Sequence, residues 1–285
     1  MRKFNHWDIT YRNDQHSAFK VVSPPSYGWV ADPFLVEYNG EIYLFAEIFL
    51  YLSERNGVIG YCKYDGNRFG EWTVTMDRHW HLSYPFVFVQ DEQLYMIPES
   101  YQLGEVVLYR LIEFPDRWEK VRSLISDVEY CDSTIFGYKD GKEYMLTFER
   151  GKKSPEGCGY IFEVEKDMLT NKQFISDSLE GTRCGGRVIR DGDKYIRIGQ
   201  DCTREYGESL IFYEIDSVSP LYEEHELYRL TTKDIVVESK KKYIGLHTYN
   251  RLGDLEVIDL KYTACSDEEK LASDRVREVF LNKYR

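Results

Sequence analysis

A chain of 285 residues and 33.8 kDa supports one large domain with a substantial core. Its 42% apolar and 30% charged residues exclude a disordered or fibrous chain, and 24 Tyr, 15 Phe and 5 Trp favour strands and carbohydrate-facing surfaces. With 37 basic against 49 acidic residues the net charge is −12 and the pI about 5.1, which argues against nucleic acid or an anionic membrane as the main partner.

The opening residues Met1 to Asp8 place no apolar stretch behind Arg2-Lys3, so no signal peptide is expected. No run approaches the ~20 apolar residues of a bilayer span. The six cysteines (Cys62, Cys131, Cys158, Cys184, Cys202, Cys265) never form C-x-x-C, and read as reduced, buried thiols rather than a zinc ribbon or a thioredoxin-type site. A cytoplasmic protein without metal or cofactor is expected.

The chain then repeats itself. Five segments share an apolar run, a polar turn, and a Tyr leading apolar residues to a polar end. They run from Asp32-Pro33-Phe34 to Tyr43–Glu47, from Tyr84-Pro85-Phe86 to Tyr95–Glu99, and from Asp132-Ser133-Thr134 to Tyr144–Glu149. The fourth runs from Gly185–Ile189 to Tyr195–Gln200, and the fifth from Ile235-Val236-Val237 to Tyr243–His247. Tight turns such as Asn39-Gly40, Asp140-Gly141 and Asp191-Gly192 join the two strands of a unit. A third strand follows each (57–64, 105–112, 159–165, 208–215, 255–262), and four units offer a wetter fourth, as at Trp72-Thr73 and Trp118-Glu119. Units of ~50 residues with up to four strands predict a propeller.

The fifth unit lacks its outer strand, and His6–Arg12 has the Trp and the alternation to supply it. The prediction is therefore all-β: a five-bladed β-propeller over residues 1–265, closed by an N-terminal strand. A short C-terminal helix over 266–285 follows the capping-box pattern Ser266-Asp267-Glu268-Glu269.

In such a blade the start of the first strand and the end of the second lie at one mouth of the channel. First-strand starts bring Asp32, Tyr84, Asp132 and Arg187 there; second-strand ends bring Glu47, Glu99, Glu149, Asp201 and His247. Crowded acids raise one another's pKa, as a general acid requires. The loops 48–56, 150–158 and 201–207, with Tyr51, Lys152, Lys153, Arg204 and Tyr206, rim the same mouth and suit sugar rings and hydroxyls.

Ala31-Asp32-Pro33-Phe34 and the fivefold repeat resemble the propellers of the glycoside hydrolase family 43 and 32 superfamily. Ser83–Phe88, Tyr95–Ser100, Phe114-Pro115 with Trp118, and Gly199-Gln200-Asp201 with Tyr206-Gly207 resemble more closely the N-terminal propeller of plant glucosamine inositolphosphorylceramide transferases and their bacterial relatives. Resemblance to family 43 implies a base at Asp32 and an orienting acid at Asp132. That family's acid in blade four has no counterpart, because this blade opens Arg183-Cys184-Gly185-Gly186-Arg187. Glu99 or Glu149 could replace it at ~6.5–9.5 Å from Asp32. Arg187, with Arg183 or His247, suits a phosphate or carboxylate.

The resemblance implies a carbohydrate-active enzyme that cleaves or transfers a glycosyl group in cell-surface glycan synthesis. Asp32, Asp132, Glu99 and Glu149 would be its catalytic candidates; Glu47, Tyr84, Arg187, Asp201 and His247 would bind a carbohydrate or sugar phosphate. The alternative is a non-catalytic propeller that binds a glycan or nucleotide sugar for a separate glycosyltransferase. A third reading, a protein-interaction platform, predicts a broad exposed aromatic surface without an acidic pocket.

Overall fold

The computed structural model describes residues 3–51, 57–166 and 168–265. These fold into five antiparallel sheets arranged as propeller blades. Blade one is β3 (Gly28–Tyr38), β4 (Glu41–Leu50), β5 (Gly57–Tyr64) and β6 (Thr73–Met76), after β1 (Lys3–Arg12) and β2 (Lys20–Val21). Blade two is β7 (Ser83–Gln90), β8 (Gln93–Glu99), β9 (Glu105–Glu113) and β10 (Arg117–Ser126). Blade three is β11 (Tyr130–Gly137), β12 (Glu143–Arg150), β13 (Gly157–Glu165) and β14 (Met168–Ser176).

Blade four departs from this pattern. Its inner strand is broken into β15 (Glu180–Cys184) and β16 (Ile189–Asp191), both paired with β17 (Lys194–Asp201), beyond which lie β18 (Ser209–Ser217) and β19 (Glu223–Leu230). Blade five runs β20 (Tyr243–Leu252), β21 (Leu255–Cys265), β1 and β2 from the channel outward.

The N-terminal strand closes the fold as expected, through ten paired positions from Lys3↔Cys265 to Arg12↔Glu256. The strand order within blade five differs from the sequence reading. Tyr243–Leu252 is the innermost strand, not the second, and β1 is third, with β2 beyond it. Ile235-Val236-Val237 contributes only a parallel bridge from Val237 to Phe19, and Val236 is 72% exposed. The N-terminus supplies two strands, so the C-terminal segment needs only two, and the short run between Asp234 and Glu238 has no place in the sheet. The helix expected over 266–285 lies outside the described residues.

The core lies between blades. Phe34 and Phe45 of blade one pack in one cluster with Phe86, Met96 and Tyr109 of blade two and Tyr144 and Ile161 of blade three. Apolar first and second strands are covered on both faces by their neighbours, as their near-continuous burial shows. Outer strands are tied sideways instead: Trp118 Nε1 donates to Thr75 Oγ1 at 2.8 Å, joining the rims of blades two and one. Among the described residues no helix is long and apolar enough to cross a membrane.

Candidate active site

Each of the first three inner strands carries the same irregularity. Register slips by one between Ala31 and Phe34, between Ser83 and Phe86, and between Cys131 and Thr134. Each slip holds one non-glycine residue at positive φ: Asp32 (54°), Tyr84 (41°) and Asp132 (52°). Such bulges re-aim a side chain, and a non-glycine residue there is held by its surroundings at some cost. In β20 the slip between Leu246 and Tyr249 brackets His247 and Thr248. Four blades thus turn residues toward one end of the channel.

Asp32 is buried and well supported. Tyr84 N donates to its Oδ2 at 3.1 Å and Thr248 Oγ1 to its Oδ1 at 2.8 Å, while His247 Nε2 stands 3.5 Å from Oδ1. Behind them is Asp259, fully buried on β21. Its Oδ1 accepts from the amides of His247 (3.1 Å) and Thr248 (2.9 Å), and its Oδ2 from the amide of Asp32 (2.9 Å). His247 Nδ1 lies 2.7 Å from Asp259 Oδ2, off the line of a straight hydrogen bond. Trp7 stacks on the imidazole at 3.9 Å, and Tyr206 meets it edge-on at 5.4 Å.

Between Tyr206 and His247 sits Gly207 at φ 63°, where a Cβ would come within 2.5 Å of Trp7. Only glycine lets that loop close on the indole.

A second group faces the first. Arg183 donates through Nε to Asp132 Oδ2, and its Nη2 lies 3.8 Å from Glu99 Oε2. Ser83 Oγ donates to the same Glu99 oxygen at 2.7 Å. Glu47 is buried with Oε1 unbonded, 3.6 Å from His81 Nε2. Arg150 stacks over Tyr101 at 3.7 Å, and Trp29 over Phe49 at 4.5 Å. Asp32, His247, Glu47, Glu99, Arg150 and Arg183 line a cleft of 310 Å³, which Asp132 reaches only through Arg183.

Charge in this cleft is unlike charge in water. Burial lifts the carboxyls of Asp32, Asp132 and Glu99, with His247 opposing it at Asp32 and Arg183 at the other two. Glu47 is lifted well above the ordinary range, by burial and then by Asp32 and Glu99, with no cation among its main influences. Burial alone would depress His247, but the carboxylates of Asp259 and Asp32 outweigh it and hold the imidazole above its usual value. His81 goes the other way, because burial dominates. The cleft therefore sets Glu47, a carboxyl lifted by burial and by neighbouring acids, on the same lining as Asp32, a carboxyl with three donors around it.

Asp32, His247 and Asp259 could each offer one atom to a metal, within 4.8 Å of one another. Asp259 is already occupied by three backbone amides and the imidazole, which fits an orienting role for His247 better than a ligand set.

The sequence-predicted residues divide accordingly. Asp32, Asp132, Glu47, Glu99 and His247 come together. Glu149 does not: Phe148 holds the position equivalent to Glu47 and Glu99, so Glu149 is one residue on, turned to the opposite face, 3.8 Å from Lys172. Asp201 lies two residues beyond that position and binds Thr203, Ser209 and Arg229 at the periphery. Tyr84 is buried across the channel, its hydroxyl bonded to Gly186 and Thr134.

Arg187 also leaves the mouth. Four residues (185–188) form the break in blade four where other blades have two, and the guanidinium passes down the channel to Leu35 O and Val87 O. No carboxylate falls in that break. Glu180, nearby, turns outward to Arg229 at 2.5 Å.

Sequence reasoning missed Asp259, Trp7, His81 and Thr248. Asp259 had a signal: it is the one charged residue in the apolar run Val257-Ile258-Asp259-Leu260. Placing Tyr243–Leu252 second in its blade hid the partnership of β20 and β21 in lining the mouth.

Residues 16–264 match the family model described as glucosamine inositolphosphorylceramide transferase 1, N-terminal. The chain is 31% identical over 261 residues to glucosamine inositolphosphorylceramide transferase 1 of Oryza sativa subsp. indica, covering 84% of this chain and 34% of that protein. Against the protein of the same name from Arabidopsis thaliana it is 30% identical over 255 residues, covering 86% and 32%. The chain thus spans about a third of the length of the curated relatives it matches.

Among solved structures it is similar to an α-L-arabinofuranosidase from Podospora anserina in complex with cellotriose, with TM-score 0.61, 10% identity and 80% of each chain covered. It is also similar to a family 43 β-xylosidase/α-arabinofuranosidase from a compost metagenome in complex with xylotriose, with TM-score 0.58, 11% identity and 85% and 93% covered. These likenesses are of fold.

Proposed function

Since the chain belongs to the family of glucosamine inositolphosphorylceramide transferase 1 N-terminal domains, we propose that it takes a glycosyl group into the acidic cleft and cleaves or transfers it, in the synthesis of a cell-surface glycan. The observation that carries this reading is the unlike pair of carboxyls, Asp32 and Glu47. Asp32 has the supports of a base, while Glu47 has an unbonded oxygen and is lifted by burial and by the acids around it.

In this reading Glu47 protonates the departing glycosidic oxygen, the part first given to Glu99 or Glu149. Asp32 takes the proton of the attacking water or acceptor hydroxyl, with Asp259 fixing the His247 ring beside it. Asp132 acts through Arg183, which it holds at the cleft wall. Arg183 and Arg150 replace Arg187 as anchors for a phosphoryl group, and the part-exposed rings of Trp29 and Tyr206 on the cleft wall meet the sugar. The described cysteines Cys62, Cys131, Cys158, Cys184 and Cys202 are free thiols, which supports a reducing compartment such as the cytoplasm.

A second reading is a binding module for a separate glycosyltransferase. One observation favours it: the chain corresponds to only about a third of relatives whose name is that of a transferase. The test is a mass-spectrometric screen of oligosaccharides, sugar phosphates and nucleotide sugars, with and without phosphate, on wild type, Asp32→Asn and Glu47→Gln. Product with wild type alone supports the enzyme, and its phosphate dependence separates phosphorolysis from hydrolysis. No product, with ligand-induced thermal stabilisation in all three proteins, supports the binding module. Neither product nor stabilisation refutes both.

A further inference from the structure

At the end of the channel away from the cleft, a cation stands part-buried without an anion. Two other interior arginines have carboxylates: Arg183 has Asp132, and Arg197 bonds Glu224 through two nitrogens. Arg187 has none among the described residues. Its Nη2 donates to Leu35 O and Val87 O at 2.9 Å each, and its Nε is buried with no partner. Its Nη1 makes no hydrogen bond to a described residue. Burial pulls the guanidinium down to about 10, and no acid opposes that pull. A part-buried ion whose enclosed Nε has no partner gains from an anion that pairs with it.

The guanidinium borders a separate cavity of 330 Å³. Arg190 lines it too, over the Tyr195 ring at 5.8 Å, as do Phe86 and Phe88, stacked at 5.4 Å. Glu143 on the same lining is exposed, and no ion pair joins it to Arg187. The cavity lies beyond Tyr84, whose fully buried side chain bonds across the channel to Gly186 and separates it from Asp32 and His247. Leu35 and Val87 each stand three residues further along their strands than Asp32 and Tyr84, roughly 10 Å deeper at strand rise.

We propose that this lower cavity is a second ligand site, which takes a small molecule bearing an oxyanion, phosphate or carboxylate. Arg187 and Arg190 meet the oxyanion, and the rest of the molecule lies against Phe86, Phe88 and Tyr195. Guanidinium forks are suited to planar and tetrahedral oxyanions, and the aromatic walls exclude the water that would weaken the pairing.

The test is isothermal titration of the full chain with inorganic phosphate and, separately, succinate. Wild type, Arg190→Ala, Arg187→Met and Asp32→Asn are compared. Wild type is expected to bind at least one anion, and the preferred one identifies the oxyanion. Arg190 is exposed, so its variant should keep the wild-type melting temperature while affinity falls tenfold or more. Arg187→Met should lose binding, and Asp32→Asn, changed only at the far end, should keep it. If Arg187→Met fails to fold, Arg190→Ala decides alone. No binding to wild type at millimolar anion, or equal affinity in Arg190→Ala and wild type, overturns the proposal.

Discussion

Asp259→Asn isolates what the buried carboxylate does, because it changes charge and one donor pattern while keeping the shape. The carboxylate accepts three backbone amides, two on Oδ1 and one on Oδ2, and Oδ2 also faces His247 Nδ1. An asparagine amide has one accepting oxygen. If its NH2 takes the Oδ2 place, it opposes the Asp32 amide; if it takes the Oδ1 place, it opposes two amides.

The first orientation costs less. It loses one charge-assisted bond, about 1.5–3 kcal/mol, and reduces the other two to ordinary strength. Removing a negative charge from beside Asp32 offsets part of this, leaving a net loss of about 2–4 kcal/mol. At roughly 2 °C per kcal/mol in a chain of this size, the melting temperature should fall by about 4–8 °C.

The His247 imidazole loses its largest raising influence, so its titration, followed by NMR, should move to lower pH. Thermal unfolding and the imidazole titration are read on the same variant. A melting temperature within about 1 °C of wild type, together with an unmoved imidazole, would refute the reasoning.

Three further outcomes are expected. Glu47 keeps a proton in the folded chain that the unfolded chain releases, so its contribution to stability declines as pH rises from the ordinary carboxylate value toward the raised folded one. Glu47→Gln, fixed in the neutral form, should therefore melt with wild type near pH 4 and at least about 2 °C above it at pH 8. Turnover should fall by about 10²–10⁴-fold if Glu47 is the acid; a melting curve that tracks wild type across the whole range counts against the assignment. Arg183→Met leaves Asp132 and Glu99 buried without their cation, and urea denaturation should show a loss of about 3–5 kcal/mol; a loss under about 1 kcal/mol would mean the pairs are not desolvated. Deleting residues 1–12 removes the third strand of blade five and bares the edge of β21, so the protein should lose cooperative unfolding and recover it with a peptide of those residues added in trans; an unchanged melt would show that closure is not needed.

Much of this molecule could be read from one dimension. The repeat of Tyr43, Tyr95, Tyr144 and Tyr195 after apolar runs gave four blades with their strands in order, because a blade is local: each strand pairs with the next, and tight turns such as Asn39-Gly40 fix the pairing. The closing role of His6–Arg12 was equally legible, since the last repeat was short of a strand and the N-terminus had one to give.

Asp32 and Asp132 stood out for the same reason, both opening a repeat. What failed was any inference that depended on a count of one residue. Glu149 follows the Glu47 position by one and so faces outward, and alternation in a strand allows no compromise. Arg187 lies within a break two residues longer than its counterparts, which sends it to the other end of the channel. Asp259 and Trp7 sit on strands that the sequence placed outside the mouth, and they arrive there only because blade five is shared between the two ends of the chain. Sequence alone determined the blades, because hydrophobic period and turn chemistry act between neighbours. Only the closed tertiary structure decided which carboxyls are buried together, because bulges and the joining of the termini set side-chain direction, and proximity and desolvation set their charge.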